Sequence, residues 1–140
     1  MQPEITDIVM RPVAIVRGDR TEPRDDHWET ELATIELVDG LRDEALDGID
    51  AFSHVEVVYL FHRVDPQRIV PGVRHPRGNT DWPRVGIFAQ RAKDRPNRIG
   101  VSIARLLRRD GRTIEVAGLD AIDGTPVLDI KPVMAEFLPQ

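Results

Sequence analysis

Apolar and polar residues alternate over Ala33-Thr34-Ile35-Glu36-Leu37-Val38, the period of two that marks a strand with one buried face. In the next run Val55, Val57, Tyr59 and Phe61 share one face, and Glu56, Val58, Leu60 and His62 share the other. Being nearly apolar on both faces, it reads as a central strand. Val13 to Val16 and Val85 to Ala89 are shorter strand candidates. The sharpest local signal is Ile99 to Arg108, then Asp110-Gly111, then Thr113 to Leu119. Asp-Gly supplies the two positive-φ positions of a type I′ turn, so this segment predicts a β-hairpin. Only Leu41 to Ile49 has a helical pattern, and Gly48 keeps it short. Four prolines and two glycines between Arg63 and Pro83 predict a long loop, which in a compact domain is usually functional or mobile. Short strands without strand-helix alternation predict a mostly-β fold: a single-domain β-barrel over residues 1–140, with short helical segments and long loops.

Composition narrows the chemistry. With 41% hydrophobic residues and no cysteine, the chain is globular and lacks a disulfide framework, a cysteine nucleophile or a thiolate zinc site. Its longest apolar run, Val57 to Phe61, is far below the ~20 residues that span a bilayer, and no signal-peptide pattern opens the chain. A soluble cytoplasmic protein without a membrane partner is expected. The net charge of −5 hides an asymmetry. Arg84 to Arg109 holds eight arginines and lysines against Asp94 alone, a net of +7, while the rest of the chain carries eleven cations and twenty-three acids, a net of −12. Such a segment is expected either to grip a polyanion or to be a solvated face paired with the surplus carboxylates. Within it, Arg95-Pro96-Asn97-Arg98-Ile99-Gly100 sets two guanidinium forks in a turn-favouring frame, the pattern of a fixed anion clamp.

Several chemistries are unsupported. There is no glycine-rich dinucleotide fingerprint and no P-loop. His54 and His62, eight residues apart, would stand over roughly 25 Å apart on an extended strand and cannot share an ion, so no metal is expected. His62, beside Arg63 and before the long loop, is either a ligand-site residue or a histidine satisfying loop backbone. Asp120 to Pro126 reads as a turn, with Asp123-Gly124 for the bend and Pro126 stopping further pairing. Trp28 and Trp82 are candidate stacking surfaces for a base or covers for core edges.

Three blocks together are more specific than any one: Phe52-Ser53-His54-Val55-Glu56 with Phe61-His62-Arg63; Val85 to Arg91 running into Arg95 to Ser102; and Leu119-Asp120 through Asp123-Gly124-Thr125-Pro126 to Pro132. In this order they resemble the TrmO or TsaA-like family of S-adenosylmethionine-dependent tRNA methyltransferases, which use a β-barrel. The resemblance implies methyl transfer to N6 of N6-threonylcarbamoyladenosine next to a tRNA anticodon, by a homodimer. It implies a cofactor site formed by Asp26, His27, Trp28, His62, Arg63, Arg91, the Val101 backbone, Ile122, Asp123, Gly124 and Thr125. Arg95, Asn97, Arg98 and Lys131 would face the tRNA or the modified base. Bacterial members have proline where Arg98 stands and carry a further C-terminal domain, so dimerisation is expected to supply tRNA-binding surface. The residues do not fix a catalytic group; if the reaction uses a general base, His62 and Asp123 are the candidates, and the sequence does not choose between them. The competing readings are a methyltransferase with another RNA or small-molecule acceptor, and a non-catalytic RNA-binding barrel.

Overall fold

In a computed structural model that describes residues 6–18 and 31–139, the alternating segments close into a six-stranded antiparallel barrel. The strands are β1 (Ala14–Gly18), β2 (Leu32–Leu37), β3 (His54–Leu60), β4 (Val73–Arg74), β5 (Val85–Gly86), β6 (Ile99–Asp110), β7 (Thr113–Ala117) and β8 (Pro126–Pro132). Around the barrel their order is β1-β2-β7-β6-β3-β8, closed by β1 against β8, while β4 and β5 pair as a separate two-stranded sheet. Closure leaves the barrel no unpaired edge. Alternate residues point inward to one core: Ala14 and Val16, Ile35 and Leu37, Val55, Val57 and Tyr59, Ala104, Ile114 and Val116, and Val127. Register shifts at Leu128 on β8 and Leu107 on β6 bend those strands into the curve that closure needs. Leu46 plugs the end of the barrel at the β6–β7 turn, from a short 3₁₀ segment over Asp43–Leu46.

Four sequence expectations need correction. The hairpin is present, but Asp110 pairs with Thr113, so its two-residue turn is Gly111-Arg112. Only Gly111 has positive φ there (+61°), which fits a type II′ turn with glycine first and not the type I′ turn. Pro126 does not stop pairing. It opens β8 opposite Ile15, where a strand's first residue tolerates the missing N–H. Val85 to Ala89 is a strand only over Val85–Gly86, after which Ile87–Ala89 forms a 3₁₀ turn anchored by buried Ile87. The Leu41–Ile49 pattern forms two 3₁₀ pieces, separated at Gly48, whose φ of +87° breaks any continuous helix.

The loop from Arg63 to Pro83 contains ordered pieces. It folds through 3₁₀ turns at Pro66–Arg68 and Pro76–Gly78 and contributes β4, which pairs with β5. The first turn is capped by the Asp65 carboxylate, which accepts from the Gln67 N–H at 2.9 Å.

Candidate active site

β3 ends at Leu60 and the chain turns at once, the His62 N–H donating to Leu60 O at 2.8 Å and the Val64 N–H to Phe61 O at 3.2 Å. This turn puts His62 and Arg63 on the wall of a cavity of about 1390 Å³. Ordinary small-molecule pockets run to roughly 300–1,000 Å³, so this one has room for more than one ligand. Three chain segments enclose it: the facing ends of β3 and β6, the loop from Asp120 to Thr125, and the β4–β5 sheet with the segment that follows it.

The floor depends on a missing side chain. The Tyr59 and Phe61 rings meet edge to face, 5.4 Å between centroids at 82°, and the Tyr59 hydroxyl shares a 2.7 Å hydrogen bond with Ser102 Oγ. A Cβ on Gly100 would lie 2.6 Å from Tyr59 Cε2 and 2.7 Å from Phe61 Cζ. Glycine is what lets this aromatic pair pack on β6.

The second wall is a tight turn. Buried Thr125 donates its hydroxyl to Ile122 O at 2.7 Å, and Gly124, at φ +85°, donates its N–H to Val16 O at 2.8 Å. The Asp123 carboxylate accepts from the Gly18 N–H at 3.2 Å, tying the loop to the end of β1. A Cβ on Gly124 would stand 3.8 Å from His62 Nε2, so the loop packs beside the imidazole.

The third wall is held by guanidinium groups. Arg74 Nη1 and the Asp94 carboxylate form a 2.8 Å ion pair, with their side chains only 27% and 17% exposed. Gln90 Nε2 donates to Arg74 O at 3.3 Å and to Val85 O at 3.1 Å. Arg95 Nη1 donates to Gln90 O at 2.8 Å and Ala92 O at 3.1 Å, while Arg91 Nη2 reaches Val101 O at 3.2 Å. Arg98 stands at φ +53°, its N–H closing a turn onto Arg95 O at 2.9 Å and its Nη1 donating to Val64 O at 3.1 Å.

The cavity is electropositive, because seven arginines and lysines line it against Asp94 and Asp120. Among the described residues Arg68, Arg77 and Lys93 have no carboxylate within ion-pair distance. Partial burial, reinforced by the Arg63 charge, holds the His62 imidazole below its ordinary value of 6.5, against the opposing pull of a hydrogen bond with the Leu60 backbone. His62 is therefore neutral at physiological pH and has a nitrogen able to accept a proton.

The structure brings His62, Arg63, Arg91, Arg95, Val101, Ile122 and Thr125 onto this one cavity, with Gly124 against His62. Asp123 is directed to the Gly18 amide, and Asn97 and Arg98 lie outside the lining. Lys131 lies elsewhere: it sits opposite Glu56 in the β3–β8 register and binds Asp129 at 2.6 Å. That is six residues, roughly 20 Å of strand, from His62. Asp26, His27 and Trp28 lie outside the described residues. Among the described residues no three His, Asp or Glu side chains gather as a metal site. Sequence reasoning missed Tyr59, Ser102, Phe88, Gln90, Arg68, Arg74 and Arg77 as cavity residues. For the last three the available signal was the long loop itself, whose prolines fix the turns that present them.

The family model of the tRNA-methyltransferase O N-terminal domain matches residues 16–137. The chain belongs to the TrmO family. It is 36% identical over 136 residues to a probable S-adenosyl-L-methionine-binding protein of Pyrococcus abyssi, covering 93% of this chain and 70% of that one. It is 41% identical over 104 residues to the tRNA (adenine(37)-N6)-methyltransferase of Escherichia coli, covering 69% of this chain and 43% of the relative. The crystal structure of TrmO from Pseudomonas aeruginosa superposes with a TM-score of 0.73 at 31% identity, over 94% of this chain and 58% of that one. The chain thus spans about half the length of these bacterial TrmO relatives. All three blocks quoted from the sequence fall inside the matched TrmO segment.

Proposed function

We propose that this TrmO-family chain is an S-adenosylmethionine-dependent methyltransferase that methylates N6 of N6-threonylcarbamoyladenosine at position 37 of tRNA. The observation that carries this reading is the large electropositive cavity holding a neutral imidazole, in a chain similar to enzymes named for adenine(37)-N6 methylation. S-Adenosylmethionine supplies a methyl group on a sulfonium, ready for in-line displacement. The lining suits that cofactor: Arg91 offers a guanidinium for its carboxylate, and Tyr59 with Phe61 offers aromatic rings whose quadrupoles attract a sulfonium cation. The volume leaves space for an acceptor base beside it.

Catalysis is then chiefly positioning and exclusion of water. The threonylcarbamoyl group carries a carboxylate, to which the Arg95 guanidinium on the third wall is complementary. The N6 proton must leave as the new bond forms. His62 takes it in this reading, in preference to Asp123, because Asp123 is turned to the Gly18 amide. A homodimer and a cytoplasmic setting complete the proposal. The dimer is supported by exposed Val101, Ile103 and Leu107 along β6, of which the first two also line the cavity, so a second copy packed there would border the site. Among the described residues no helix is long and apolar enough to cross a membrane.

Titration calorimetry with S-adenosylmethionine tests the cofactor assignment. Binding that Arg91→Ala weakens is expected, and no heat at millimolar cofactor overturns the reading. Salt-sensitive RNA binding without cofactor binding would instead favour a non-catalytic barrel.

A further inference from the structure

Phe88 is 79% exposed, yet it is not on a loose loop. It is the middle residue of the Ile87–Ala89 3₁₀ turn, whose first residue, Ile87, is 2% exposed and donates its N–H to Gly72 O at 2.8 Å. The turn closes where the Gln90 N–H donates to Ile87 O, and Gln90 itself is tied by its side chain to Arg74 O and Val85 O. The backbone thus holds an aromatic ring out into solvent on the cavity wall. Trp82, 46% exposed on the same cavity, is held in a comparable way: its N–H donates to Asn79 O at 3.2 Å and its carbonyl pairs with His75 Nδ1 at 2.7 Å. The same cavity is lined by Arg68, Arg77 and Lys93, which have no carboxylate partner among the described residues. Rigidly framed aromatic faces set among cations are the means by which proteins hold single-stranded nucleic acid, the rings stacking on bases and the cations tracking phosphates.

We infer that Phe88, with Trp82 as the second platform, is a stacking site for an unpaired RNA base next to the acceptor nucleotide, separate from the position where the methyl group is transferred. This rests on the methyltransferase reading for which RNA is bound, but not for its own test. Stacking is indifferent to base identity, so the site contributes affinity and register more than sequence choice. Arg77 and Lys93 would carry the salt-dependent part of that affinity.

The experiment uses the full chain and an anticodon stem-loop RNA carrying 2-aminopurine in the loop beside the acceptor adenosine. Binding to the wild-type protein is expected to quench the 2-aminopurine. Phe88→Leu, which keeps an apolar side chain at a solvent-facing position, is expected to weaken RNA binding about tenfold and abolish the quench. Phe88→Trp should restore both, and neither variant should alter S-adenosylmethionine affinity. Unchanged RNA affinity and quenching in Phe88→Leu overturn the inference, as does a dimer in sedimentation that Phe88→Leu dissociates, since the ring would then be covered by a second copy. Phe88-dependent quenching by a protein that transfers no methyl group would uphold the stacking site and contradict the methyltransferase reading. The two failures are thereby distinguished.

Discussion

The two ends of β6 use their arginines differently. At the β6–β7 turn, Arg109 pairs with Asp47 at 2.7 Å, Arg108 with Glu115 at 3.0 Å and Arg112 with Asp43 at 3.1 Å. At the Ile99 end Arg74 pairs with Asp94 at 2.8 Å, but Arg91, Arg95 and Arg98 donate to backbone carbonyls, and Arg68, Arg77 and Lys93 have no carboxylate partner among the described residues. A carbonyl orients a guanidinium without cancelling its charge, whereas a carboxylate cancels it. The Ile99 end therefore keeps a positive field over a cavity, while the charges at the other end are largely neutralised locally. Within the +7 segment, Arg91, Lys93 and Arg95 line the cavity, while Arg108 and Arg109 hold the fold through carboxylates.

The largest effect that sharpens this contrast is expected at His62. If it accepts the N6 proton, His62→Gln lowers kcat by roughly 10²-fold or more with little change in protein stability. Because its pKa is depressed, the wild-type rate should climb as pH rises through a value below 6.5, and the variant should lose that limb. A wild-type profile without any acid limb below pH 6.5 would remove His62 from the chemistry. Next in size is Gly100→Ala. Its Cβ clashes with a stiff aromatic pair, so about 1–3 kcal/mol of stability should be lost in urea unfolding, together with the Tyr59–Ser102 bond.

These two sites also mark what was legible in the sequence. The barrel was, because alternation over Ala33 to Val38 and around Asp110-Gly111 is a local consequence of pleated geometry. β8 was not, because Pro126 reads as a breaker and its tolerance at a strand's first position depends on a partner, Ile15, more than a hundred residues away. The short β4 was hidden for the same reason: two residues carry no period, and only pairing with Val85–Gly86 makes them a strand. Within the site, His62 and the Ile122 to Thr125 turn are legible as strand-end and turn residues, and Arg95 to Arg98 as a fixed guanidinium frame whose partners are not. A guanidinium's partner cannot be read from its neighbours in sequence, and here those partners include backbone carbonyls at Gln90, Ala92 and Val64.

Smaller effects separate the two ends further. Asp94→Asn leaves Arg74 half-buried opposite a neutral group and should loosen the β4–β5 wall, costing about 1–3 kcal/mol after allowance for partial exposure and raising KM for RNA more than for cofactor. A double-mutant cycle with Arg74→Met measures the pair itself. Smallest of all, Arg108→Ala should cost about 0–1 kcal/mol and leave RNA affinity unchanged, since it removes an exposed pair at the other end. Arg77→Ala should instead reduce the slope of log affinity against log salt by about one. Equal salt slopes for Arg108→Ala and Arg77→Ala would erase the distinction between the ends.

The most direct test of the proposed activity is to incubate the purified chain with S-adenosylmethionine and tRNA bearing N6-threonylcarbamoyladenosine, then analyse the nucleosides by mass spectrometry. A new nucleoside one methyl group heavier, greatly reduced with His62→Gln and undiminished with Arg108→Ala, is the expected result. Unmodified N6-threonylcarbamoyladenosine after complete digestion, from protein that binds both ligands, would contradict it.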